Sequence, residues 1–234
     1  MSNTFPINSA LAPPSYPSPE ELTRLTPGGY AFEQLIGSGG MGAVYLGRQV
    51  NLSRQVAIKV ISGVVDEQTL LRFERECRTM GSLSGHPSIV TVFGSGVLAN
   101  GNPYLVMEYL ERGSLADRLE RGPLPWDEAA DVAVKIGGAL QAAHDAGVLH
   151  RDLKPANVMI GRFGEVLLMD WGLGGLLTED PTGHLPHVTA GDGAGTPSYQ
   201  APETLAGAPG PLSARTDVYL LGGVLYELLY GRPP

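Results

Sequence analysis

The chain has 234 residues, of which 43% are hydrophobic and 17% charged, and its formal net charge is −8. This length fits one large domain or two small lobes, and the composition is that of an ordered globular protein rather than a disordered or fibrous one. The acidic balance, 24 Asp and Glu against 16 Lys and Arg, argues against a nucleic-acid partner.

The sequence contains no segment typical of export or membrane insertion. Residues 1–21 lack the basic and apolar regions of a signal peptide, and the longest apolar run, residues 218–230, is too short to span a membrane and contains Glu227. The single cysteine, Cys77, excludes an intrachain disulfide and is typical of a reducing compartment. We therefore expect a cytoplasmic chain without a membrane segment, although a longer protein could be anchored downstream of it.

Patterning in the first half predicts a β-rich lobe. Residues 1–29 are expected to be flexible, because six prolines interrupt backbone pairing and no apolar pattern develops. Period-two runs then predict five strands. An amphipathic helix, capped by Asp66, is predicted between the third and fourth strands. The expected strands lie in residues 30–37, 43–50, 54–61, 86–97 and 102–110, and the helix in residues 66–83.

The second half is predicted to be mainly helical. Apolar residues spaced three and four apart predict a helix over residues 126–147, capped by Asp127 and ended by Gly147. Two short apolar runs, a Gly- and Pro-rich loop and a final apolar helix follow. These lie at residues 157–161, 165–172, 172–197 and 218–230.

A cluster of polar residues separates two apolar runs at residues 150–157. It has the pattern HRDxKxxN, for which this chain's own composition gives about 4 × 10⁻⁶ matches by chance. Upstream, Gly37–Val44 reads GxGxxGxV and Lys59 ends Val-Ala-Ile-Lys; alternation along that strand puts Ala57 and Lys59 on one face. Glycines in such a loop let backbone N–H groups approach phosphate oxygens.

Further motifs follow in order, and together they resemble the eukaryotic-type (Hanks-type) serine/threonine protein kinase family. They are Asp170-Trp171-Gly172, Gly195-Thr196-Pro197-Ser198-Tyr199, Ala201-Pro202-Glu203 and Asp217-Val218-Tyr219. Thirteen arginines against three lysines, with the Gly and Pro richness, favour a GC-rich bacterial source.

The resemblance implies an α+β, two-lobed kinase-like fold. A small antiparallel β lobe with one helix would occupy residues 30–107, a hinge 108–114, and a mainly helical lobe 115–234, after the flexible residues 1–29. The family domain usually continues with further helices, so the helical lobe is expected to be incomplete.

The resemblance also implies the site residues. Asp152, Lys154, Lys59, Glu76 and Thr196 would form the catalytic set, and Asn157 and Asp170 would hold Mg²⁺. Glu76 rather than Glu74 occupies the family's position for the partner of Lys59. ATP would contact Gly37, Ser38, Gly39, Gly40, Met41, Gly42, Val44, Ala57, Lys59, Met107, Glu108, Leu110 and Met159.

The implied reaction is transfer of the ATP γ-phosphoryl group to a protein Ser or Thr hydroxyl. Arg151 beside Asp152 indicates control by phosphorylation of the activation loop, first at Thr189 and otherwise at Thr178 or Thr182. A second copy of the chain would then be a partner for trans-autophosphorylation. Trp171 replaces the usual Phe, which we expect to change packing more than metal binding.

Two other interpretations are weighed against this one. A dinucleotide-binding domain also uses GxGxxG, but it needs a helix after the loop, where this sequence is strand-like. A catalytically impaired scaffold is the stronger rival, because the family domain usually continues further and an arginine in that part usually pairs with the glutamate that is Glu203 in this chain. Nothing in this sequence clearly replaces that arginine. Plain structural roles suffice for His144 and His86, which lack further ligands at metal-binding spacing.

Overall fold

The computed structural model describes residues 16–39, 42–61, 66–172, 174–176, 195–205 and 212–234. Within them, an antiparallel sheet precedes a mainly helical part, so the expected α+β, two-part fold class is confirmed.

The sheet is built from five short strands. They span Tyr30–Gly39 (β1), Gly42–Gln49 (β2), Arg54–Val60 (β3), Val92–Val97 (β4) and Pro103–Glu108 (β5). All neighbours are antiparallel, in the order β1-β2-β3-β5-β4. β3 is therefore the central strand, and its residues are flanked on both sides.

Alternation along β3 separates two environments. Val56, Ile58 and Val60 are buried in an apolar cluster on one side of the sheet. Ala57 packs in a larger cluster on the opposite side, which extends into the helical part. Because side chains alternate along a strand, Lys59 points the same way as Ala57 and enters the cleft between the two parts.

The expectation of flexibility is wrong for residues 16–29. A short helix, α1 (Pro19–Leu25), packs against the sheet with Leu22 fully buried. Its prolines precede the helix or stand at its first position, where a missing N–H is tolerated. Three hydrogen bonds of 2.8 Å hold this segment in place. Two come from the sheet, Tyr45 Oη to Pro17 O and Phe32 N to Thr23 Oγ1, and the third comes from the β4–β5 turn, Ala99 N to Leu25 O.

The helix α2 (Glu67–Leu83) begins as predicted at Asp66, whose carboxylate accepts a first-turn backbone N–H at 2.8 Å. Leu70, which the spacing placed on the inner face, is instead 39% exposed. The buried inner face comprises Phe73, Glu76, Thr79, Met80 and Leu83.

The helical part contains three helices and two small strand pairs among the described residues. They are α3 (Leu115–Leu119), α4 (Trp126–Asp145), β6 (Val148–Leu149), β7 (Val158–Ile160), β8 (Val166–Leu168), β9 (Gly175–Leu176) and α5 (Ala214–Tyr230). β6 pairs with β9 and β7 with β8, both antiparallel. The N-cap of α4 is Pro125 rather than Asp127, which lies in the first turn.

One apolar cluster connects the sheet to the helical part. It runs from Ala57 and Leu105 on the sheet, through Met80 of α2, to Ile136 of α4 and Val224 of α5. The cleft between the two parts is therefore walled by packed side chains from both. No helix within the described ranges is long and apolar enough to cross a bilayer.

Candidate active site

The HRDxKxxN segment forms a loop between β6 and β7. The carboxylate of Asp152 lies at its centre, with its side chain 12% exposed. Lys154 Nζ donates to Asp152 Oδ2 at 2.9 Å, and Asn157 Nδ2 donates to the Asp152 carbonyl at 2.8 Å. Thr196 Oγ1 donates to Asp152 Oδ1 at 2.7 Å. Three predicted site residues, Lys154, Asn157 and Thr196, thus lie within hydrogen-bond distance of Asp152.

Asp217 supports this loop through hydrogen bonds to its backbone. Its side chain is fully buried at the start of α5, and its two carboxylate oxygens accept the backbone N–H groups of His150 and Arg151, each at 2.9 Å. Arg151 has φ +70°, a conformation that is costly for a residue other than glycine. The Asp217 carboxylate therefore holds a strained backbone immediately before Asp152.

Lys59 and Glu76 form a buried ion pair. Lys59 Nζ lies 2.6 Å from Glu76 Oε1, and their side chains are 10% and 4% exposed. Asp170 Oδ1 lies 3.6 Å from the same ammonium. Burial by itself would lower the pKa of Lys59, but the charges of Glu76 and Asp170 outweigh it and raise that pKa above its ordinary value. The ammonium charge is therefore retained at the back of the cleft.

The carboxylate of Asp170 follows β8 and has an unusual backbone, with φ +63°. Burial by itself would raise the pKa of Asp170, but Lys59, together with His150, the Gly172 backbone N–H and Lys154, outweighs burial and holds the pKa below its ordinary value. Met169 N donates to the Asn157 carbonyl at 3.0 Å, which sets Asp170 beside the end of the HRDxKxxN loop.

The donor set at Asn157 and Asp170 fits a magnesium ion. The Asn157 amide nitrogen is used in bonding Asp152, so its oxygen remains as a ligand, and Asp170 adds an ionised carboxylate. Oxygen ligands suit Mg²⁺, which usually binds one or two protein groups together with phosphate oxygens.

An apolar cavity of about 270 Å³ lies between the sheet and the helical part. Six of the residues predicted to contact the nucleotide line it: Val44, Ala57, Met107, Glu108, Leu110 and Met159. The sequence analysis did not identify Ile36, Val90, Met169 and Asp117, which also line it. Ile36 directly precedes the motif that begins at Gly37, and Met169 directly precedes Asp170, so the sequence could have predicted that both line the cavity. Val90 and Asp117 are not next to any of the motifs.

The glycine-rich turn follows the end of β1. Gly37, Ser38 and Gly39 are the last residues of β1, and Gly42 opens β2. Gly40 and Met41 lie outside the described residues. Gly42 has φ +139°, and a Cβ there would collide with the Val60 carbonyl oxygen. Only glycine fits this position, because other residues rarely adopt that φ and the backbone of β3 leaves no room.

Comparison with known proteins gives the family. The model of the protein kinase domain matches residues 30–234. The chain belongs to the protein kinase family. The resemblance read from the motifs is thereby confirmed.

Bacterial serine/threonine-protein kinases are among the similar proteins. PknK of Mycobacterium bovis is 45% identical over 219 residues, which cover 91% of this chain and 19% of PknK. PknB of Mycobacterium leprae is 38% identical over 212 residues, covering 88% of this chain and 33% of PknB. Pkn2 of Myxococcus xanthus is 39% identical over 204 residues, covering 85% and 24% respectively. The chain thus spans about a fifth to a third of the length of these kinases.

Trp171, from the Asp-Trp-Gly motif of this kinase-family chain, packs against the HRDxKxxN loop. Trp171 is fully buried with its ring centroid 4.7 Å from that of His150, and its indole N–H has no hydrogen-bond partner among the residues that the structure describes. Glu203 is half-buried and accepts a 2.8 Å hydrogen bond from Thr216 Oγ1, which is a neutral partner and not the arginine that pairs with this glutamate in the family. Thr178, Thr182 and Thr189 lie outside the described residues.

Proposed function

We propose that this chain is the catalytic part of a serine/threonine protein kinase, which transfers the γ-phosphoryl group of ATP to a protein Ser or Thr hydroxyl. One observation supports the proposal: Asp170 lies 3.6 Å from the Lys59 ammonium and also interacts electrostatically with Lys154, which together with Thr196 holds the Asp152 carboxylate. Phosphoryl transfer needs this combination of a proton acceptor and positive charge, because the enzyme mainly positions reactants and neutralises developing charge.

Asp152 is assigned to the acceptor hydroxyl. Its carboxylate orients that hydroxyl and receives its proton, while the hydrogen bonds from Lys154 and Thr196 keep the carboxylate from rotating. The Lys154 ammonium also neutralises charge on the transferring group. Its bond to Thr196 Oγ1, at 2.9 Å, ties the two segments together.

ATP is assigned to the cavity and the glycine-rich turn. The apolar lining would receive the adenine ring, with Met107 at the inner end and backbone groups of Glu108 and Leu110 at its edge. Lys59, oriented by Glu76, would hold the non-transferred phosphates. Asn157 and Asp170 would hold Mg²⁺, which supplies positive charge that bridges phosphate oxygens.

The proposal extends to the acceptor residue, the regulation of the kinase and its location in the cell. Lys154 within Asp-Leu-Lys-Pro-Ala-Asn and Thr196 favour Ser or Thr over Tyr as acceptor. Arg151 is suited to bind a phosphorylated activation loop, with Thr189 as its first phosphorylation site and a second copy of the chain as the phosphorylating partner. We place the reaction in the cytoplasm, where ATP is available and Cys77 stays reduced. The lobe boundaries at 30–107, 108–114 and 115–234 are part of this proposal.

The test compares the chain with Asp152→Ala after incubation with ATP and Mg²⁺, read by intact mass and by phosphate transfer to a Ser- or Thr-containing protein. We expect phosphate on the wild type or on its substrate, and none with the variant. Nucleotide binding without transfer by either protein would instead support the scaffold alternative.

A further inference from the structure

Glu108 borders two cavities. It is the last residue of β5, and residues 108–110 line the cavity of about 270 Å³ that is assigned to ATP. The same three residues line another cavity, of about 380 Å³, whose walls include His86, Pro87 and Leu167. Packing therefore holds this stretch of backbone less firmly than it holds a buried strand, and hydrogen bonds must fix its position.

Two hydrogen bonds join Glu108 to Thr91, at the start of the segment that leads into β4. Glu108 N donates to the Thr91 carbonyl at 3.0 Å, and Glu108 Oε1 accepts the backbone N–H of Thr91 at 2.6 Å. The strand pairing of β4 with β5 ends one step earlier, at Val92 and Met107. The bonds between Glu108 and Thr91 thus continue that pairing up to the nucleotide cavity.

The second of these bonds departs from the regular pattern. In a hydrogen-bonded antiparallel pair, each residue donates its N–H to the backbone carbonyl of the other. Here the Thr91 N–H is bound by the side chain of Glu108 instead of its backbone carbonyl. The carboxylate therefore satisfies Thr91 without engaging the Glu108 carbonyl in this pair.

That carbonyl is the group on which purine recognition depends in the proposed ATP site. Adenine presents an amino group, which donates to a carbonyl, whereas guanine presents a carbonyl oxygen at the same ring position. A backbone carbonyl fixed in this place pairs with adenine and repels guanine. A site built to hydrogen-bond one group discriminates against the analogue that lacks it, because a buried polar group is then left unpaired.

We propose that the side chain of Glu108 is a positioning residue that sets the preference for ATP over GTP. By binding the Thr91 N–H itself, the carboxylate leaves the Glu108 carbonyl to meet adenine and keeps residues 108–110 from shifting toward the second cavity. The inference rests on the proposed function for the identity of the nucleotide site. Nucleotide binding nevertheless tests it without any phosphoryl transfer.

Three substitutions of Glu108 separate the hydrogen bond from the charge. Glu108→Ala removes the acceptor. Glu108→Asp keeps the charge on a side chain one methylene shorter, which cannot reach the Thr91 N–H from the same backbone position. Glu108→Gln keeps an oxygen acceptor at the original reach but loses the charge. The matched control is Glu120→Ala, the same change at an exposed glutamate at the end of α3.

The first measurement is titration of the full chain with ATP and with GTP in the presence of Mg²⁺. For Glu108→Ala and Glu108→Asp we expect the Kd for ATP to rise about 10-fold and the Kd for GTP to change less than about 3-fold, since the lost bond is to a charged group. Glu108→Gln should bind ATP more tightly than either, and Glu120→Ala should match the wild type. Equal losses for ATP and GTP would overturn the proposal, as would a glutamine variant no better than the aspartate variant.

The second measurement is hydrogen exchange at the Thr91 amide. Exchange should be faster in Glu108→Ala and Glu108→Asp than in the wild type and Glu108→Gln, and unchanged exchange would overturn the proposal. If Glu108→Ala fails to fold, the comparison of Glu108→Gln with Glu108→Asp decides alone.

The two proposals fail in different ways. A wild type that transfers no phosphate but shows the expected purine pattern would remove the kinase function and retain the role of Glu108. Phosphate transfer with the same preference for ATP in every variant would do the reverse. A wild type that binds neither nucleotide would overturn both.

Discussion

The side-chain hydroxyl of Thr196 donates a 2.7 Å hydrogen bond to the carboxylate of Asp152, although the two residues are 44 positions apart in the chain. The same hydroxyl accepts a 2.9 Å hydrogen bond from Lys154. The segment around Thr196 is thereby joined to the HRDxKxxN loop.

Replacing Thr196 by valine should lower kcat about 10- to 100-fold, because a hydrogen bond to a charged group contributes about 1.5–3 kcal/mol. Thr196→Ser keeps the hydroxyl and should retain most of the activity. Steady-state rates with varied ATP check this prediction. A valine variant as active as the serine variant would show that the hydrogen bond has no kinetic role.

Replacing Lys59 by methionine should lower the free energy of unfolding by about 3–5 kcal/mol, because it leaves the Glu76 carboxylate buried without its cation. The double variant Lys59→Met/Glu76→Leu should regain most of that stability, yet neither variant should bind ATP tightly. Urea unfolding and nucleotide titration measure the two effects.

The matched control is Arg48→Met, since the Arg48–Glu33 pair is exposed and its loss should cost less than about 1 kcal/mol. A double variant no more stable than Lys59→Met would contradict the prediction.

The stability of the protein should depend on the ionisation of Asp170 in acid. Its pKa in the folded protein lies below the ordinary value of 3.8, so the unfolded chain takes up the proton first as the pH falls. The stabilisation is therefore complete above pH 3.8 and is lost as the pH falls through the folded-state value. Unfolding curves between pH 6 and pH 3 should show a smaller loss for Asp170→Asn than for the wild type. Parallel curves would mean that Asp170 titrates alike in both states.

Gly42→Ala should destabilise the protein by about 1–3 kcal/mol and weaken ATP binding, since φ is +139° and the new Cβ meets the Val60 carbonyl. Gly81→Ala is the matched control: it lies within α2, where a Cβ would have no atom within 4 Å. That change should be neutral or stabilise by up to about 1 kcal/mol. Thermal unfolding of both variants provides the comparison, and equal effects would argue against the strain at Gly42.

The site motifs could be recognised without coordinates because each is a short contiguous pattern. The turn Gly37–Val44, the HRDxKxxN loop and Asp170-Trp171-Gly172 depend on local backbone needs, such as glycine at Gly42. Period two on β3 likewise indicated the direction of Lys59. Helix α1 was not anticipated, because its few apolar residues become significant only when Leu22 meets the sheet.

The sequence by itself therefore determined the family, the order of the strands along the chain and most residues of the cleft, since these follow from spacing over a few positions. Tertiary structure decided which distant groups meet: Val90 at the cavity, Thr216 on Glu203, and His144 on Asp217. Those contacts depend on how whole elements pack. Burial also strengthens the hydrogen bond between His144 and Asp217, because water no longer competes for either partner.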